Sequence, residues 1–594
     1  MCPEAAPEQE KTARISLAEF PVNGSDQEKL DFVRGYLNQS LLCYMQEGDP
    51  RLEIVDTLGR NMHGISMFLP DNRSIVIFSS CTGSPLSQQQ VKDAEILIKE
   101  IASFASKAST YREFYTEFQA LNWQGQIELV RLLGLNPKET LCKEDSSGHD
   151  TAHTANLIAL EKAAAKTRKT GQEVKVVSIY AKNQTGMRSN RVYAGLHPFS
   201  ESLFGTTYEG PEDQEVRIEG YPEMLLRPVD ITDARGEIRD TQEVDQEILD
   251  NVQQVIDDGN VPIARLVVDT KIGVKFGIHD LTLIKTLRKR FGDNVVIEVD
   301  DAQRRISTEF LDTLIHKYDC VVTTTTSKAL GGAMAHALSL INKKNAAILN
   351  DPDSPFPPGL NAHTCKNHCG PGLEGLTKKI ENDTPDFPGA LKRETGLTVL
   401  RALSKIEIIK QNLIAHELIA KMREVFNRSK FIKIVERPQT TVPEIEPAQR
   451  QGIYQGTENY IGIMHENSIF LLEIGFPNGQ RPNAQEVKIL RWLLNNDLGT
   501  LVPEQQRTVG ETGYTTGPKI LLSEKRVGPR VAVGWRDIVA IYESGEWQTT
   551  IGQQYLEQTA GLVWKIGFIV ENWEKALEFY NQEEPKMRLT HTPE

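Results

Sequence analysis

Lys328 closes the run Val321-Val322-Thr323-Thr324-Thr325-Thr326-Ser327-Lys328, and Gly331-Gly332 follow it. A preceding apolar stretch, Val295-Val296-Ile297-Glu298-Val299, ends in Asp300-Asp301-Ala302-Gln303. Both stretches are β-rich, and Phe310 to Lys317 between them has helical character. An amine and a carboxylate therefore stand at the ends of neighbouring strands. A lysine among apolar or cationic groups has a lowered pKa and attacks an aldehyde to form a Schiff base. A carboxylate facing a pyridine nitrogen keeps it protonated. These are the two groups that pyridoxal phosphate requires, and Gln303 has the reach for the ring's phenolic oxygen. Each residue taken singly has a plainer reading: Lys328 as a surface residue ending a strand, Asp300 or Asp301 as a cap for the helix near Thr308.

A third constellation is Ser146-Ser147-Gly148-His149-Asp150-Thr151, directly before a helix predicted over 150–167. Backbone N–H groups at a helix start, with a glycine for close approach, form an anion site, and Ser147 or Thr151 would add a hydroxyl. An ordinary helix cap by serine or aspartate is the competing reading. Ala152, Ala155, Ala159 and Ala163 share one face of that helix and would let it pack closely on a sheet.

The elements that must position these groups alternate. Strands are predicted at Val174–Tyr180, Arg265–Val268, Val295–Val299 and Cys320–Thr324, with Ala335–Ile341 beside the last. Helices are predicted at Ser87–Lys107, Asp150–Thr167 and Ile278–Phe291. Such alternation predicts an α/β fold: a mostly parallel sheet sandwiched by helices, binding its ligand beyond the carboxyl ends of the strands. Residues 1–145 read as an N-terminal arm and α/β segment, 146–345 as the large domain, 346–393 as a Pro/Gly-rich loop and 394–594 as a C-terminal α+β domain. That last region opens with one long helix, Glu394 to Asn427.

The ordered set of a small-residue helix start, a strand-end Asp-x-x-Gln and a strand-end Ser-Lys-x-x-Gly resembles fold-type-I PLP enzymes, the aspartate aminotransferase superfamily. It is most similar to the branch of class V aminotransferases, cysteine desulfurases and kynureninases. The resemblance covers roughly residues 140–345. It implies a large PLP-binding domain, a C-terminal small domain, a homodimer and an amino-acid-like substrate. It also implies that Lys328 and Asp300 are catalytic and that Ser147, Gly148, His149, Asp150, Thr151, Thr325 and Ser327 line the phosphate and cofactor site, with Gln303 on the ring. It further implies an arginine for the substrate carboxylate. Arg530, opening Arg530-Val531-Ala532-Val533-Gly534, fits that pattern, with Arg536 and Arg526 as rivals. The sequence departs from the branch where a ring-stacking histidine or aromatic is expected: Tyr180 leads into Ala181-Lys182-Asn183-Gln184-Thr185-Gly186. Gln184, Thr185 or a folded-back His197 is left for that place. The expected activity is amino transfer or lyase chemistry, and a non-catalytic binding or regulatory protein on the same fold is the alternative.

Two further features compete. Lys271 also follows a strand, but no acid-bearing strand precedes it at suitable spacing. Cys365-Lys366-Asn367-His368-Cys369, with His363 nearby, suggests zinc, but structural zinc sites usually have two ligand pairs well separated in sequence. No metal is expected there. No phosphate-binding Gly-x-x-x-x-Gly-Lys-Ser/Thr or Gly-x-Gly-x-x-Gly motif follows a predicted strand.

Bulk properties are those of an ordinary soluble globular protein. The 594 residues carry a net charge of −14, with 39% hydrophobic and 25% charged residues. That charge argues against a general nucleic-acid binder. Seven scattered cysteines point to reduced thiols and a cytoplasmic setting. No secretory signal and no membrane span is expected.

Overall fold

The computed structural model describes residues 15–47, 52, 54, 55, 60, 61, 75–77, 85–182, 187–198, 202–204, 216–231, 233, 239–268, 281–302, 304, 306, 308–328, 330–435, 469–523, 526–548 and 552–588. The strands, in chain order, are β1 (Ile75–Ile77), β2 (Thr140–Asp145), β3 (Val176–Lys182), β4 (Met224–Asp230), β5 (Val261–Val267), β6 (Val296–Asp301), β7 (Val321–Thr325), β8 (Ala337–Asn342), β9 (Ile432–Ile434), β10 (Ile469–Ile474), β11 (Gly513–Thr515), β12 (Gly517–Ser523) and β13 (Arg526–Ala532).

Seven strands form the main sheet in the order β2-β8-β7-β6-β5-β3-β4. Strands β7, β6, β5, β3 and β4 run parallel, and β8 is antiparallel to both its neighbours, β7 and β2. This is the expected mostly parallel sheet between helices. Its strands are buried on both faces, which is why they read as near-continuous apolar runs. Alternation divides them between two cores. Val176, Ile263, Val296, Val321 and Ile341 face the helix Ala152–Thr170. Val177, Ala264, Ile297, Val299, Val322 and Leu340 face the opposite side.

The helix Ala152–Thr170 ends at Gly171, whose φ of 71° turns the chain toward β3. Ala155, Ala159 and Ala163 lie against the sheet as their spacing predicts, while Ala152 packs instead with Tyr180, Val192 and Tyr193.

Several boundaries differ from expectation. The large sheet begins at Thr140, before the expected boundary at 146. The stretch 346–393 is a built part of the domain, with short helices at Pro358–Ala362, Lys366–His368 and Glu374–Lys379. The long helix expected over 394–427 is two helices, Phe387–Leu403 and Ile408–Asn427. Asp386 caps the first by accepting from Gly389 N–H, and Pro388 sits in the first turn, where no N–H is needed.

The segment before residue 146 does not stand apart. The helices Gln88–Lys107 and Tyr111–Leu132 share a core with Phe387–Leu403 through Phe114, Phe118, Phe387 and Leu391. Strand β1 pairs in parallel with β11. The C-terminal antiparallel sheet has the order β12-β13-β10-β9 and packs on Ile408–Asn427, Ala484–Leu494 and Gln553–Glu571. Leu471, on β10, belongs instead to the core of the main sheet.

The helix Phe387–Leu403 runs against the turn that carries Lys328. A Cβ placed on Gly396 would lie 2.4 Å from Thr326 Cβ, and one on Gly332 would lie 3.0 Å from Gly396 N. We expect Gly396→Ala to destabilise the chain by about 1–3 kcal/mol through overpacking, despite alanine's better helix propensity. Gly475 has open space around it. Thermal midpoints check the pair: Gly396→Ala lowers the midpoint and Gly475→Ala leaves it nearly unchanged.

Candidate active site at the strand ends

Asp300 and Lys328 lie at the carboxyl ends of adjacent parallel strands. Asp300 is in register with Thr323 of β7, and Lys328 follows the end of β7 at Thr325. Both residues are partly buried. Asp300 shares its face of β6 with Glu298, and its charge adds to the upward push that burial gives the Glu298 carboxyl, against the pull of Arg265. That face also packs against the helix Ala152–Thr170: the Arg265 guanidinium joins Glu298 to Asn156 of that helix. Asp300 accepts from Ala302 N–H at 2.9 Å, which fixes the strand-end turn. Asp301 points the other way and accepts from Ile306 N–H at 3.3 Å. Of the two aspartates, Asp300 is the one aimed toward the helix.

The helix start meets these strand ends. Thr151 occupies the N-cap position with no side-chain cap. Gly148 is exposed, between buried Ser147 and partly buried His149. A Cβ on Gly148 would come 3.7 Å from Thr325 Cγ2. The helix start has no side-chain cap, and its Ala152, His153 and Thr154 N–H groups donate to the carbonyls of His149, Asp150 and Thr151; the loop before it adjoins the end of β7.

The local hydroxyls are already engaged in part. Thr325 donates to the Ala302 carbonyl at 2.6 Å, and Thr151 donates to the Gly148 carbonyl at 3.0 Å. Ser147 Oγ accepts from His149 N–H at 3.1 Å, and His149 Nδ1 lies 2.9 Å from Ser189 Oγ. Ser327 is buried. Gln184, Thr185, Gln303 and Lys271 lie outside the described residues, as does the side chain of Arg526.

Arg530 is 2% exposed and pairs with Leu471, so it occupies the face of the small sheet turned to the main domain. Arg536, its rival, touches the Lys328 turn itself. A Cβ on Gly331 would fall 2.8 Å from Arg536 Cδ. The Arg536 guanidinium donates to the Pro85 carbonyl at 2.5 Å.

Sequence reasoning missed the network beneath Lys328. Glu144 accepts from Arg393 at 2.8 and 3.0 Å and from Gln126 at 2.9 Å, and lies 3.3 Å from His336 Nε2. His336 Nδ1 in turn lies 3.0 Å from Thr326 Oγ1. Gln90 donates to the carbonyls of Gly331 and Thr395, each at 2.9 Å. Burial opposes ionisation of Glu144, yet Arg393, His336 and Gln126 hold its carboxyl down at about 2. No local motif marks these residues, because their partners are far away in the chain.

His197 does fold back, but its ring stacks on His363 at 4.9 Å and 24°. His363 Nδ1 lies 3.3 Å from Asp150 Oδ1. The stretch 346–393 thus reaches the helix start, and Asp150 turns its carboxylate to histidines. Cys365 and Cys369 are buried free thiols, and His368 pairs with Asp386 at 2.8 Å.

No family model matches the sequence, and neither does any curated protein. Solved structures with a similar chain path include a 4-hydroxyphenylacetaldehyde synthase from Rhodiola rosea. It is 12% identical with a TM-score of 0.45, over 83% of this chain and 84% of that one. Another is Oryza sativa TDC with PLP and tryptamine: 12% identity, TM-score 0.44, 84% of each chain. A third is the phosphoserine aminotransferase SerC of Cytophaga hutchinsonii: 15% identity, TM-score 0.41, 81% of this chain and 99% of that one. These values lie below the level at which a likeness assigns an activity, so the chemistry rests on the residues described above.

Glu144→Gln keeps the shape of the side chain and leaves Arg393 buried without its anion. A loss of about 3–5 kcal/mol is expected at neutral pH. The ordinary carboxylate value of 4.5 lies above the folded value of about 2. The stabilisation is therefore fully present above 4.5 and is lost as the pH falls toward 2. Thermal midpoints of the two proteins should converge as the pH is lowered through that window.

Proposed function

We propose that the chain is a PLP-dependent enzyme acting on an amino-acid-like substrate by amino transfer or lyase chemistry. The observation that supports this is one juxtaposition. Asp300 and the strand that leads into Lys328 end side by side, and a Cβ on Gly148, in the loop before a helix with no side-chain cap, would lie 3.7 Å from Thr325 Cγ2 at the end of that strand. The donor set fits the group: the N–H groups of Gly148 and Thr151 with nearby serine hydroxyls as an anion cradle, an acid on the helix-facing side of β6, and an amine on a glycine turn.

When bound, the cofactor supplies an electron sink for charge developing at the α-carbon of an amino acid. Lys328 Nζ would hold it covalently and, once released by a substrate amine, would move a proton at the substrate's α-carbon. Asp300 would keep the ring nitrogen protonated. The N–H groups of Gly148 and Thr151 would hold the phosphate, since those of His149 and Asp150 donate to Ser147, with Ser147 and Ser327 adding hydroxyls. Thr325 would contribute by position, since its proton goes to Ala302. Arg530 is our candidate for the substrate carboxylate, and Arg536 would set the turn that aims Lys328. The stretch 346–393 would wall the site from water on the side of His197 and His363. A homodimer is part of this reading.

The test is an absorbance scan of the purified chain with added PLP. A yellow band is expected in the native protein and should be absent from Lys328→Ala. Asp300→Asn should retain the cofactor and lose at least about a hundredfold in turnover, the low end for a group controlling a proton. A colourless protein that retains no PLP would sink the proposal. Amino acids that perturb the band, followed by mass spectrometry of products, would identify the reaction.

A further inference from the structure

Three buried side chains converge where the stretch 346–393 crosses the helix start. Asp150, His153 and His363 are each about 5% exposed or less. One ligating atom from each lies within 4.8 Å of the others. Asp150 Oδ1 is 3.3 Å from His363 Nδ1 and 3.9 Å from His153 Nε2.

Two of these atoms are buried polar groups that make no well-aligned hydrogen bond. Asp150 Oδ1 and His153 Nε2 have no hydrogen-bond partner among the described residues. An orphaned acceptor and ring nitrogen inside a protein are costly unless something between them completes the set. Bonds of 2.0–2.1 Å at tetrahedral angles place ligand atoms roughly 3.4 Å apart. The two separations from Asp150 lie on either side of that value, and the two histidine nitrogens lie within 4.8 Å of each other.

The outer contacts are those of ligands held in one orientation. His153 turns its other nitrogen, Nδ1, to Tyr221 Oη at 3.2 Å. His363 turns its other nitrogen, Nε2, to His197 Nδ1 at 2.7 Å. Ser146 Oγ donates to the second oxygen of Asp150 at 3.4 Å. Each ligand thus presents one atom inward and has its remaining group engaged, as metal-binding histidines and carboxylates do.

We propose that Asp150, His153 and His363 bind a divalent transition metal, with zinc the best match to two imidazoles and one carboxylate. The fourth position is left for water. The ion would clamp residue 363 of the long connection to the start of the helix 152–170. It would thereby fix the outer wall of the anion cradle. The site takes His363 from that stretch but uses neither Cys365, His368 nor Cys369, and it stands whether or not the chain uses PLP.

The experiment uses the tag-free full chain, stripped with a chelator and loaded with zinc or cobalt(II). About one equivalent of metal is expected per chain. Cobalt should give the visible difference spectrum of a low-coordinate nitrogen and oxygen site, and zinc should raise the thermal midpoint. His153→Gln with His363→Gln should abolish both signals. Tyr221→Phe should weaken cobalt binding by about 10- to 100-fold while the spectrum keeps its form. The absence of a cobalt spectrum and of any zinc-dependent midpoint shift in the native chain would overturn the proposal without reference to any variant. Equal metal binding by the double variant would overturn it too, by placing the ion elsewhere.

Discussion

The buried pairing of Glu144 with Arg393 is the constraint on which the site most depends. It joins the edge strand β2 to the helix Phe387–Leu403, and through His336 it reaches Thr326, two residues before Lys328. A charge pair so far from water gains little net energy over apolar packing, but removing one partner leaves the other stranded. Its value is therefore in fixing one arrangement. The glycine contacts of 332 and 396 act in the same place by steric means. Charge and close packing together give the Lys328 turn one seat.

A second polar layer does the equivalent for Asp300. Arg265 on β5 is enclosed by Glu298, Asn156 and Ser178, and its guanidinium lies 3.9 Å from the centroid of the Tyr193 ring. That arrangement sits one turn of the strand pleat below Asp300. It ties β3, β5 and β6 to the helix whose start forms the anion cradle. The acid and the cradle are thus held by one connected set of side chains. A planar, always-charged guanidinium suits this role, since it can satisfy several acceptors at once and stack on a ring.

Much of this was legible from local signals. Apolar β-rich runs ending in Asp300 and Ser327-Lys328 predicted adjacent strand ends, and the alanine spacing after Thr151 predicted the close helix. The helices Tyr111–Leu132 and Thr241–Asp257 carry readable signals, Thr110 and Asp240 at their starts and Gly134 and Gly259 beyond their ends, which the reading of the chemistry-bearing segments did not use. The break between Leu403 and Ile408 was hidden because Ser404-Lys405-Ile406-Glu407 contains neither proline nor glycine. Arg265, Glu144 and His363 escaped for another reason. Each is an ordinary residue until a partner far away in sequence is brought beside it. The richness of 346–393 in proline and glycine suggests a loose connection, whereas buried side chains such as Asn367 and His368 pin it down.

The pairing of β1 with β11 has a kinetic consequence. Residues 75–77 and 513–515 are separated by most of the chain, and the loop between their strands encloses the whole main sheet. The entropic penalty for closing such a loop rises only slowly with length, yet contacts this remote form late because little rewards them beforehand. During synthesis, the early strand must wait, unpaired, until the ribosome has delivered the partner hundreds of residues later. This seam therefore joins an early segment of the chain to a late one, across the whole main sheet.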